Sequence, residues 1–212
     1  MYKRQGSPGA YSHLAAKKIY PEYEFIPYNT FEDCFKHCNE NEDHKTIIPV
    51  ENSIAGRVAD IQYLINKYKL QIYAEHFQEI KHNLMILKGN KLENVKSVRS
   101  HSQAISQCQK LINSNQFEPI IAADTAGSAK YISEKKIKSE AAIASELAAK
   151  IYDLKIVREN IEDNHSNVTR FLIMGKKKSH PDFRNKNYIT SCLLYTSPSP
   201  RDLYRSRMPS SA

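Results

Sequence analysis

The chain has 212 residues, which is enough for one or two domains with a sizeable hydrophobic core. It contains no apolar run of about 18 residues and no signal-peptide pattern, a combination that favours a soluble cytoplasmic protein over a membrane protein. Its formal net charge is +8, but the positive excess lies in residues 176–212 and in Lys3 and Arg4, so the neutral remainder lacks the continuous basic face that nucleic-acid binding needs.

Strands and helices alternate along most of the chain. The predicted helices cover residues 13–19, 31–38, 58–67, 101–114, 124–134 and 140–152. The predicted strands cover residues 23–28, 46–50, 70–73, 78–87, 95–98 and 120–122. Ser12 and Thr30 are the predicted N-cap residues of the first two helices. This alternation predicts a parallel or mixed sheet with helices on both faces.

The order of these elements predicts two lobes. Residues 6–75 form the first lobe, residues 80–153 form the second, and residues 155–175 return to complete the first sheet. Because the chain crosses twice between the lobes, we expect a ligand cleft between them. Residues 176–187 then read as a linker, since they open with three lysines and a His-Pro step.

Both ends of the chain are unusual for an evolved protein. Residues 193–212 are rich in Ser, Arg and Pro and show neither helical nor strand periodicity. Met1 to Gln5 are mostly polar, although the fold requires an apolar strand just before Gly6. We therefore expect residues 1–5 and 193–212 to be non-native, adaptor-like sequence, and most of the first strand to be missing.

Five short polar clusters share one design, in which small or polar residues stand at the end of an apolar strand. They are residues 6–13, 49–56, 100–104, 124–129 and 167–171. In open α/β sheets, ligands bind outside the carboxyl ends of the strands, and helix N-termini at that edge attract anions. The clusters, together with Arg170, predict a site for a small molecule that carries a carboxylate.

Taken in order, these clusters resemble the motifs of prephenate dehydratase. The resemblance rests on Gly6 to His13, Pro49 to Gly56, Ser100 to Ala104, Asp124 to Ala129, Ala141 to Ser145 and Thr169 to Phe171. It covers residues 6–192, and Tyr188 to Cys192 are similar to the first strand of the family's regulatory ACT domain. Ser102 stands where the family has proline, and Asp124 where it has serine. The resemblance implies a catalytic domain over residues 6–175 with an α/β, bilobal, periplasmic-binding-protein-like (type II) fold.

The reaction implied by the resemblance is the loss of water and CO2 from prephenate, which gives phenylpyruvate for L-phenylalanine biosynthesis. Such a carbon–oxygen lyase takes a small-molecule substrate and needs neither a metal nor a cofactor, and the family implies a homodimer for the full-length protein. Arogenate dehydratase, whose substrate has an amine in place of the keto group, is an alternative that the motifs do not separate. A non-catalytic bilobal small-molecule-binding protein is an alternative from a different class. Neither nucleic acid nor a membrane is an expected partner.

Thr169 is the predicted catalytic residue, because the resemblance assigns proton donation to the family's Thr-Arg-Phe threonine. A free threonine hydroxyl is a weak acid, so it must act through a hydrogen-bonded neighbour or in concert with C–O cleavage. The next residue, Arg170, either pairs with a substrate carboxylate or forms a structural salt bridge with Glu51 or Glu162.

The resemblance also implies a set of contacts with the substrate. They are Glu51, Asn52, Ser53, Ser100, Gln107, Thr125, the backbone N–H of Ala126, Arg170 and Phe171. Asn52 and Ser53 are also potential helix caps, and both roles are compatible. Ser100 and Gln107 are seven residues apart and share one face if a helix begins at Ser100.

The histidines and cysteines do not predict chemistry of their own. Isolated histidines beside turns are more often structural, and this is the interpretation for His13, His82, His101 and His165. The cysteines show no Cys-x-x-Cys spacing, which predicts reduced thiols and no metal site for Cys34, Cys38, Cys108 and Cys192.

Overall fold

The computed structural model describes residues 2–177, with side chains from Gly6 onward. The strands are β1 Tyr2–Gln5, β2 Phe25–Tyr28, β3 Lys45–Asn52, β4 Gly56–Arg57, β5 Gln71–Glu79, β6 Asn83–Leu87, β7 Ser97–His101, β8 Glu118–Ala122, β9 Glu140–Ala144, β10 Leu154–Arg158 and β11 Val168–Gly175. The helices are α1 Tyr11–Ile19, α2 Phe31–Asn39, α3 Ile61–Tyr68, α4 Ser102–Ser106, α5 Gln109–Ser114, α6 Thr125–Lys135 and α7 Glu146–Ile151. Most of the predicted linker, the predicted ACT strand and the C-terminal tail lie outside the described residues.

The first lobe is built on a six-stranded sheet with the order β2-β1-β3-β11-β5, and β4 pairs with β3. β1 runs parallel to β2 and β3, whereas β11 runs antiparallel to β3 and β5. The carboxyl end of β3 and the beginning of β11 therefore meet at one edge of the sheet, where Asn52 lies opposite Thr169. This edge carries two of the predicted site residues.

The prediction that the first strand is largely missing is wrong. Tyr2–Gln5 form β1, in which Tyr2 pairs with Phe25 on one side and Lys45 on the other. Strand pairing uses backbone N–H and C=O groups, which every residue of this segment has. Polar composition alone was therefore a poor reason to exclude a strand here.

The second lobe is built on a five-stranded sheet with the order β10-β6-β9-β7-β8, and two predictions fail in it. Residues 140–144 form β9 rather than the start of a helix. Residues 154–158 form β10, which pairs with β6 and so belongs to the second lobe, not the first. Alanine favours helices, but Ala141 to Ala144 are fully buried in the sheet, and this tertiary burial overrides the local propensity.

Each sheet has a hydrophobic core on both faces. In the second lobe, Ile143 packs with residues of α4 and α5, while Ala142 packs with residues of α6 and α7 on the other face. In the first lobe, Ile48 packs with residues of α2 and α3, while Ile47 packs with residues of α1. The predicted arrangement of helices on both faces is confirmed.

The helix ends agree only in part with the predictions. Thr30 caps α2 as predicted, since its Oγ1 accepts a hydrogen bond from the N–H of Asp33 at 3.1 Å. Ser12 instead lies inside α1, whose N-cap is Ala10. The helix predicted over residues 101–114 is broken at Gln107 and Cys108, between α4 and α5. Gln107 consequently stands at a helix end.

The chain crosses between the lobes at residues 80–82 and again at residues 159–167. The crossings are bonded to each other: the N–H of Ile161 donates to the carbonyl of His82, and the N–H of His82 donates to the carboxylate of Glu162, both at 2.9 Å. The predicted bilobal, periplasmic-binding-protein-like (type II) fold is confirmed. Within residues 2–177 no helix has the length and apolar character needed to cross a membrane.

Candidate active site

A cavity of about 520 Å³ lies between the lobes at the edge where β3 ends and β11 begins. Both lobes and the first crossing contribute polar side chains to its wall: Asn52, Arg57, His82, Gln107, Asp124, Thr125 and Thr169. Small-molecule sites commonly have volumes of ~300–1,000 Å³. A second cavity, of about 380 Å³, is lined by Lys18, Lys81 and several acids and contains none of the predicted site residues.

Thr169 lies at the wall of this cavity and is 8% exposed. Its Oγ1 accepts a hydrogen bond from Asn52 Nδ2 at 2.9 Å. The strand register explains the contact, because Thr169 and Asn52 are directly opposite in the antiparallel pair of β11 and β3. The sheet thus brings together the predicted proton donor and one predicted substrate contact.

The orientation of the Asn52 amide is fixed by the backbone of the turn that follows β3. Its Oδ1 accepts hydrogen bonds from the N–H groups of Ile54 at 3.0 Å and Ala55 at 2.8 Å. An amide oxygen held by two donors leaves the NH2 group pointing the other way. That group donates to Thr169 Oγ1 and to Asn167 Oδ1, the latter at 2.7 Å.

The same chain of hydrogen bonds continues into the second lobe. Asn167 Nδ2 donates to Gln107 Oε1 at 2.8 Å, and Gln107 Oε1 lies 2.8 Å from His82 Nε2. His82 Nδ1 lies 2.8 Å from the hydroxyl of Tyr11. Because Gln107 Oε1 is an acceptor, His82 must carry its proton on Nε2. We infer from this tautomer that Nδ1 of the neutral ring accepts from Tyr11.

Burial keeps the two titratable members of this series of hydrogen bonds, His82 and Tyr11, in their neutral forms. Burial lowers the pKa of His82, although hydrogen bonding to Gln107 and the charge of Glu162 oppose the shift. Burial also raises the pKa of Tyr11 well above its ordinary value, with smaller contributions from Cys108 and Glu162. The Tyr11 hydroxyl also lies 3.0 Å from the Lys81 carbonyl, so its one hydrogen is shared between that oxygen and His82 Nδ1.

The direction of these bonds decides what Thr169 can do. Its oxygen already accepts from Asn52, so its own hydrogen is available to an acceptor in the cavity. The hydrogen bond from Asn52 also stabilises negative charge on Oγ1 if that hydrogen is transferred. The arrangement is suited to donating a proton to a bound oxygen.

The predicted site residues divide into two groups in the structure. Those that line the cavity are Asn52, Gln107, Thr125, Thr169 and Phe171. Those that do not line it are Glu51, Ser53, Ser100, Ala126 and Arg170. The strands account for this division in part, since Thr169 and Phe171 lie on one face of β11 and Arg170, between them, points to the other.

Arg170 differs most from the prediction. Its guanidinium pairs with Glu75, with Nε–Oε2 and Nη2–Oε2 distances of 2.8 and 2.6 Å, and lies 6.0 Å from the centre of the Phe77 ring. The predicted structural alternatives, Glu51 and Glu162, are not its partners. Arg170 is therefore occupied away from the cavity, and its position does not support a contact with a substrate carboxylate.

The hydroxyl groups of Ser53 and Ser100 form hydrogen bonds with backbone groups. The Ser53 hydroxyl donates to the carbonyl of Ser166 at 2.8 Å and accepts from the N–H of Val168 at 3.0 Å. The Ser100 hydroxyl is buried and donates to the carbonyl of Ile143 at 2.6 Å. Two explanations given for the predicted contacts are thus wrong: Ser100 belongs to β7 and shares no helix face with Gln107, and no helix begins at Asn52 or Ser53.

The start of α6 already holds an acid. Asp124 caps this helix, and its carboxylate accepts from the N–H of Gly127 at 2.5 Å and from the hydroxyl of Ser7 at 3.1 Å. A second anion at Thr125 and the N–H of Ala126 would meet this negative charge. The structure thus speaks against the predicted carboxylate subsite at these two residues.

Several polar residues of the site were not predicted as functional. Among them are Tyr11, Arg57, His82 and Asn167. Asn167 and Tyr11 stand inside clusters that the sequence had singled out, and Arg57 follows one directly, so position beside a motif was the available signal. His82 had no such signal, because only the folded crossing brings it to Gln107.

Two other histidines have the structural role that was predicted. His13 Nδ1 accepts from the N–H of Gly9 at 3.1 Å, and His101 caps α4 by accepting from the N–H of Gln103 at 3.2 Å. Burial raises the pKa of the Cys108 thiol, with smaller contributions from Asp163 and Glu162, which makes it unreactive. No group of three or more His, Cys, Asp or Glu residues within the described chain is arranged to hold a metal ion.

Two α/β lobes, a double crossing and a polar cavity at the strand ends define a bilobal protein with a small-molecule site. Within that class the chain belongs to the prephenate dehydratase family, whose sequence profile matches residues 3–179. The family is one of dehydratases, enzymes that remove water from their substrates. Residues 3–5, which were predicted to be non-native, lie inside the match.

Individual relatives carry names of related activities. The chain is 33% identical over 201 residues to a bifunctional N-acyl-homoserine lactone acylase/prephenate dehydratase of Komagataeibacter europaeus, with coverage of 95% of this chain and 72% of the relative. It is 37% identical over 201 residues to arogenate dehydratase/prephenate dehydratase 1 of Arabidopsis thaliana, with coverage of 95% and 51%. The chain thus spans about half the length of that plant relative.

A solved structure gives the same fold. Prephenate dehydratase from Arthrobacter aurescens, in complex with L-Phe, superposes with a TM-score of 0.79 at 25% sequence identity. The superposition covers 85% of this chain and 62% of that chain.

Proposed function

We propose that the protein is a prephenate dehydratase, a carbon–oxygen lyase that converts prephenate to phenylpyruvate in L-phenylalanine biosynthesis. Family membership supports the reaction class. The observation that carries the proposal is the hydrogen bond from Asn52 to Thr169, because it leaves the Thr169 hydrogen for a ligand in the cavity.

The proposed chemistry breaks two bonds between the ring and its substituents, the C–O bond to the hydroxyl and the C–C bond to the ring carboxylate. As the ring hydroxyl leaves, the electron pair of the bond to the ring carboxylate moves into the ring, which becomes aromatic, and CO2 is released. Thr169 donates a proton to the departing hydroxyl, so that water leaves rather than hydroxide, and Thr169 later regains a proton from solvent. The donor NH2 group of Asn52 stabilises the charge that develops on Oγ1.

The cavity-lining residues divide the remaining roles. Gln107 holds Asn167 and His82 and borders the substrate, and Thr125 offers a hydroxyl from the second lobe. Phe171 is 1% exposed and offers an apolar wall for the ring. The first lobe thus carries the proposed proton donor, and the second lobe covers it.

The direct test is turnover of defined substrates. Purified protein is given prephenate or arogenate, and phenylpyruvate is followed by its absorbance and phenylalanine by chromatography. We expect phenylpyruvate from prephenate. Absence of turnover with either substrate would contradict the proposal and favour a binding protein.

Arogenate dehydration is the second candidate, and one residue favours it. Asp124 lines the cavity, and its carboxylate is suited to the ammonium group that arogenate has and prephenate lacks. If arogenate is the substrate, Asp124→Ser should lower kcat/KM for arogenate by about 10-fold or more while leaving that for prephenate little changed. Equal effects on both substrates would remove this argument.

A further inference from the structure

The cavity has one strong cation in its wall. Among its lining residues in the described part of the chain, Arg57 is the one Arg or Lys, and Asp124 is the one Asp or Glu. Arg57 is exposed, and no ion pair or side-chain hydrogen bond joins its guanidinium to another described residue. Its nearest acid in strand register is Glu51, which is also exposed and forms no ion pair with it.

The position of Arg57 is fixed by the same turn that orients Asn52. β4 pairs with the end of β3, with Arg57 opposite Glu51 and Gly56 opposite Asn52. Gly56 has a φ of +81°, which lets the chain reverse direction here. The N–H of Val58 donates to the carbonyl of Val50 at 3.0 Å and holds the far side of the hairpin. A site on a paired hairpin is positioned more accurately than one on a free loop.

Two other candidates for binding an anionic substrate are already occupied. Arg170 is paired with Glu75 on the opposite face of β11. The N-terminus of α6 is occupied by the carboxylate of Asp124. Arg57 is therefore the one Arg or Lys side chain in the described wall of this cavity, and no described acid is paired with it.

We propose that Arg57 binds the side-chain carboxylate of the substrate, the one that phenylpyruvate retains. This proposal rests on the proposed function. A cation on the ring carboxylate would stabilise the reactant more than the transition state in which CO2 departs, and would slow the reaction. A cation on the retained carboxylate stabilises both states and anchors the molecule while the ring lies beside Thr169 and Phe171.

The test compares Arg57→Gln with Arg158→Gln, which removes the same charge from an exposed position on β10 outside the cavity. Binding of phenylpyruvate and of phenylacetone, which has the ring and ketone but no carboxylate, is measured by calorimetry, and prephenate turnover is measured alongside. We expect Arg57→Gln to weaken phenylpyruvate binding and raise KM by about 10- to 100-fold each, with kcat changed much less. Phenylacetone binding should not change, Arg57→Lys should recover part of the loss, and Arg158→Gln should behave as wild type.

The outcomes separate this proposal from the proposed function. If wild type does not turn over prephenate but binds phenylpyruvate in an Arg57-dependent way, the carboxylate site stands and the dehydratase assignment fails. If turnover is normal and Arg57→Gln binds phenylpyruvate as wild type does, the carboxylate site is overturned. A loss of kcat with an unchanged KM would overturn it too, as would failure of wild type to bind phenylpyruvate. Thermal unfolding of each variant checks that the fold is intact.

Discussion

The candidate site depends on the direction of hydrogen bonds between individual residues. Two backbone N–H groups, of Ile54 and Ala55, fix the oxygen of the Asn52 amide. The orientation of this amide then determines which atom donates in each neighbouring hydrogen bond. It leaves the hydrogen of Thr169 available on one side and, through Asn167 and Gln107, places the proton of His82 on Nε2 on the other. A small change of side-chain chemistry at Asn52 should therefore alter the hydrogen bonds of Thr169 and, through Asn167 and Gln107, those of His82.

Thr169 should be needed for chemistry more than for binding. Thr169→Ala removes the proposed proton donor, so we expect kcat to fall by ~10²-fold or more with a modest change of KM. Thr169→Ser keeps the hydroxyl and serves as the matched control, with most of kcat retained. Steady-state kinetics with prephenate measure both, and wild-type turnover by the alanine variant would contradict the assignment.

Asn52→Asp tests the direction of the bonds, since it keeps the size of the side chain and removes its donor. An aspartate there offers only acceptors, so Thr169 would donate its hydrogen to it and lose that hydrogen for the substrate. We expect a fall in kcat of ~10²-fold, similar to that of Thr169→Ala, because one hydrogen is lost in both. If Asn52→Asp combined with Thr169→Ala lowers kcat by the product of the single effects, the two residues act independently and the coupling is refuted.

At the scale of elements, the loop before α1 is held against α7 of the other lobe. The carbonyl of Gly9 accepts from the hydroxyl of Ser145 at 2.6 Å, and a Cβ at Gly9 would lie 2.7 Å from the Cα of Ala148. Tyr152 adds a hydrogen bond to the carbonyl of Pro8 at 2.8 Å. This contact, away from the two crossings, fixes how the lobes sit beside the cavity.

Gly9→Ala should push the loop before α1 away from α7. Gly9 has a φ of +90° and Gly89 a φ of +78°, so alanine at either costs about 1–3 kcal/mol for its backbone conformation. Only at Gly9 does the new methyl group clash, which adds about 1–3 kcal/mol, because Gly89 faces open space. Urea unfolding of both variants measures the difference in the free energy of unfolding. Equal losses would show that the contact between Gly9 and Ala148 accommodates the methyl group without loss of stability.

The sequence predicted the elements of the site better than their contacts. Thr169 and Asn52 were predicted because they stand in motifs that resemble those of the family, and the pairing of β11 with β3 places them opposite each other. Ser100 and Arg170 belong to equally clear motifs, yet the Ser100 hydroxyl donates to the carbonyl of Ile143 and the Arg170 guanidinium pairs with Glu75. Such partners lie 43 and 95 residues away in the chain, beyond any local pattern.

Residues 140–144 show a second limit of local patterns. Their alanines are compatible with a helix, and only burial between helices on both faces of the sheet makes them a strand. β1 shows a third limit, because backbone pairing on two sides forms a strand that its polar composition did not favour. In each case the deciding interaction comes from another part of the fold.

For the whole molecule, His82 couples stability to pH at the crossing between the lobes. Its pKa is lowered by burial, so between that pKa and its ordinary value of about 6.5 the unfolded chain binds a proton that the folded chain does not. The free energy of unfolding should therefore decrease as the pH falls below about 6.5. The titratable groups that interact with His82 are Tyr11, Glu162 and, beside them, Cys108.

Urea unfolding at pH 8 and at pH 5.5 measures this dependence in wild type and in His82→Gln. The variant cannot take up the proton, so its loss of stability over this range should be smaller than that of wild type. His37→Gln is the control, since His37 is an exposed histidine paired with Glu40 on α2. An identical pH dependence in wild type and His82→Gln would assign the effect to other groups.

The place of β11 also determines the order in which the protein can be completed during synthesis. All five strands of the second sheet lie between residues 83 and 158, so that lobe can close while later residues are still to be made. The first sheet must wait for Val168–Gly175, which enter between β3 and β5. Until β11 has been made, β3 and β5 each expose an unpaired edge, and such edges promote association between nascent chains. β11, which covers those edges, also carries Thr169. Pairing of this one strand therefore both protects the sheet from misassembly and brings the proposed proton donor into the site.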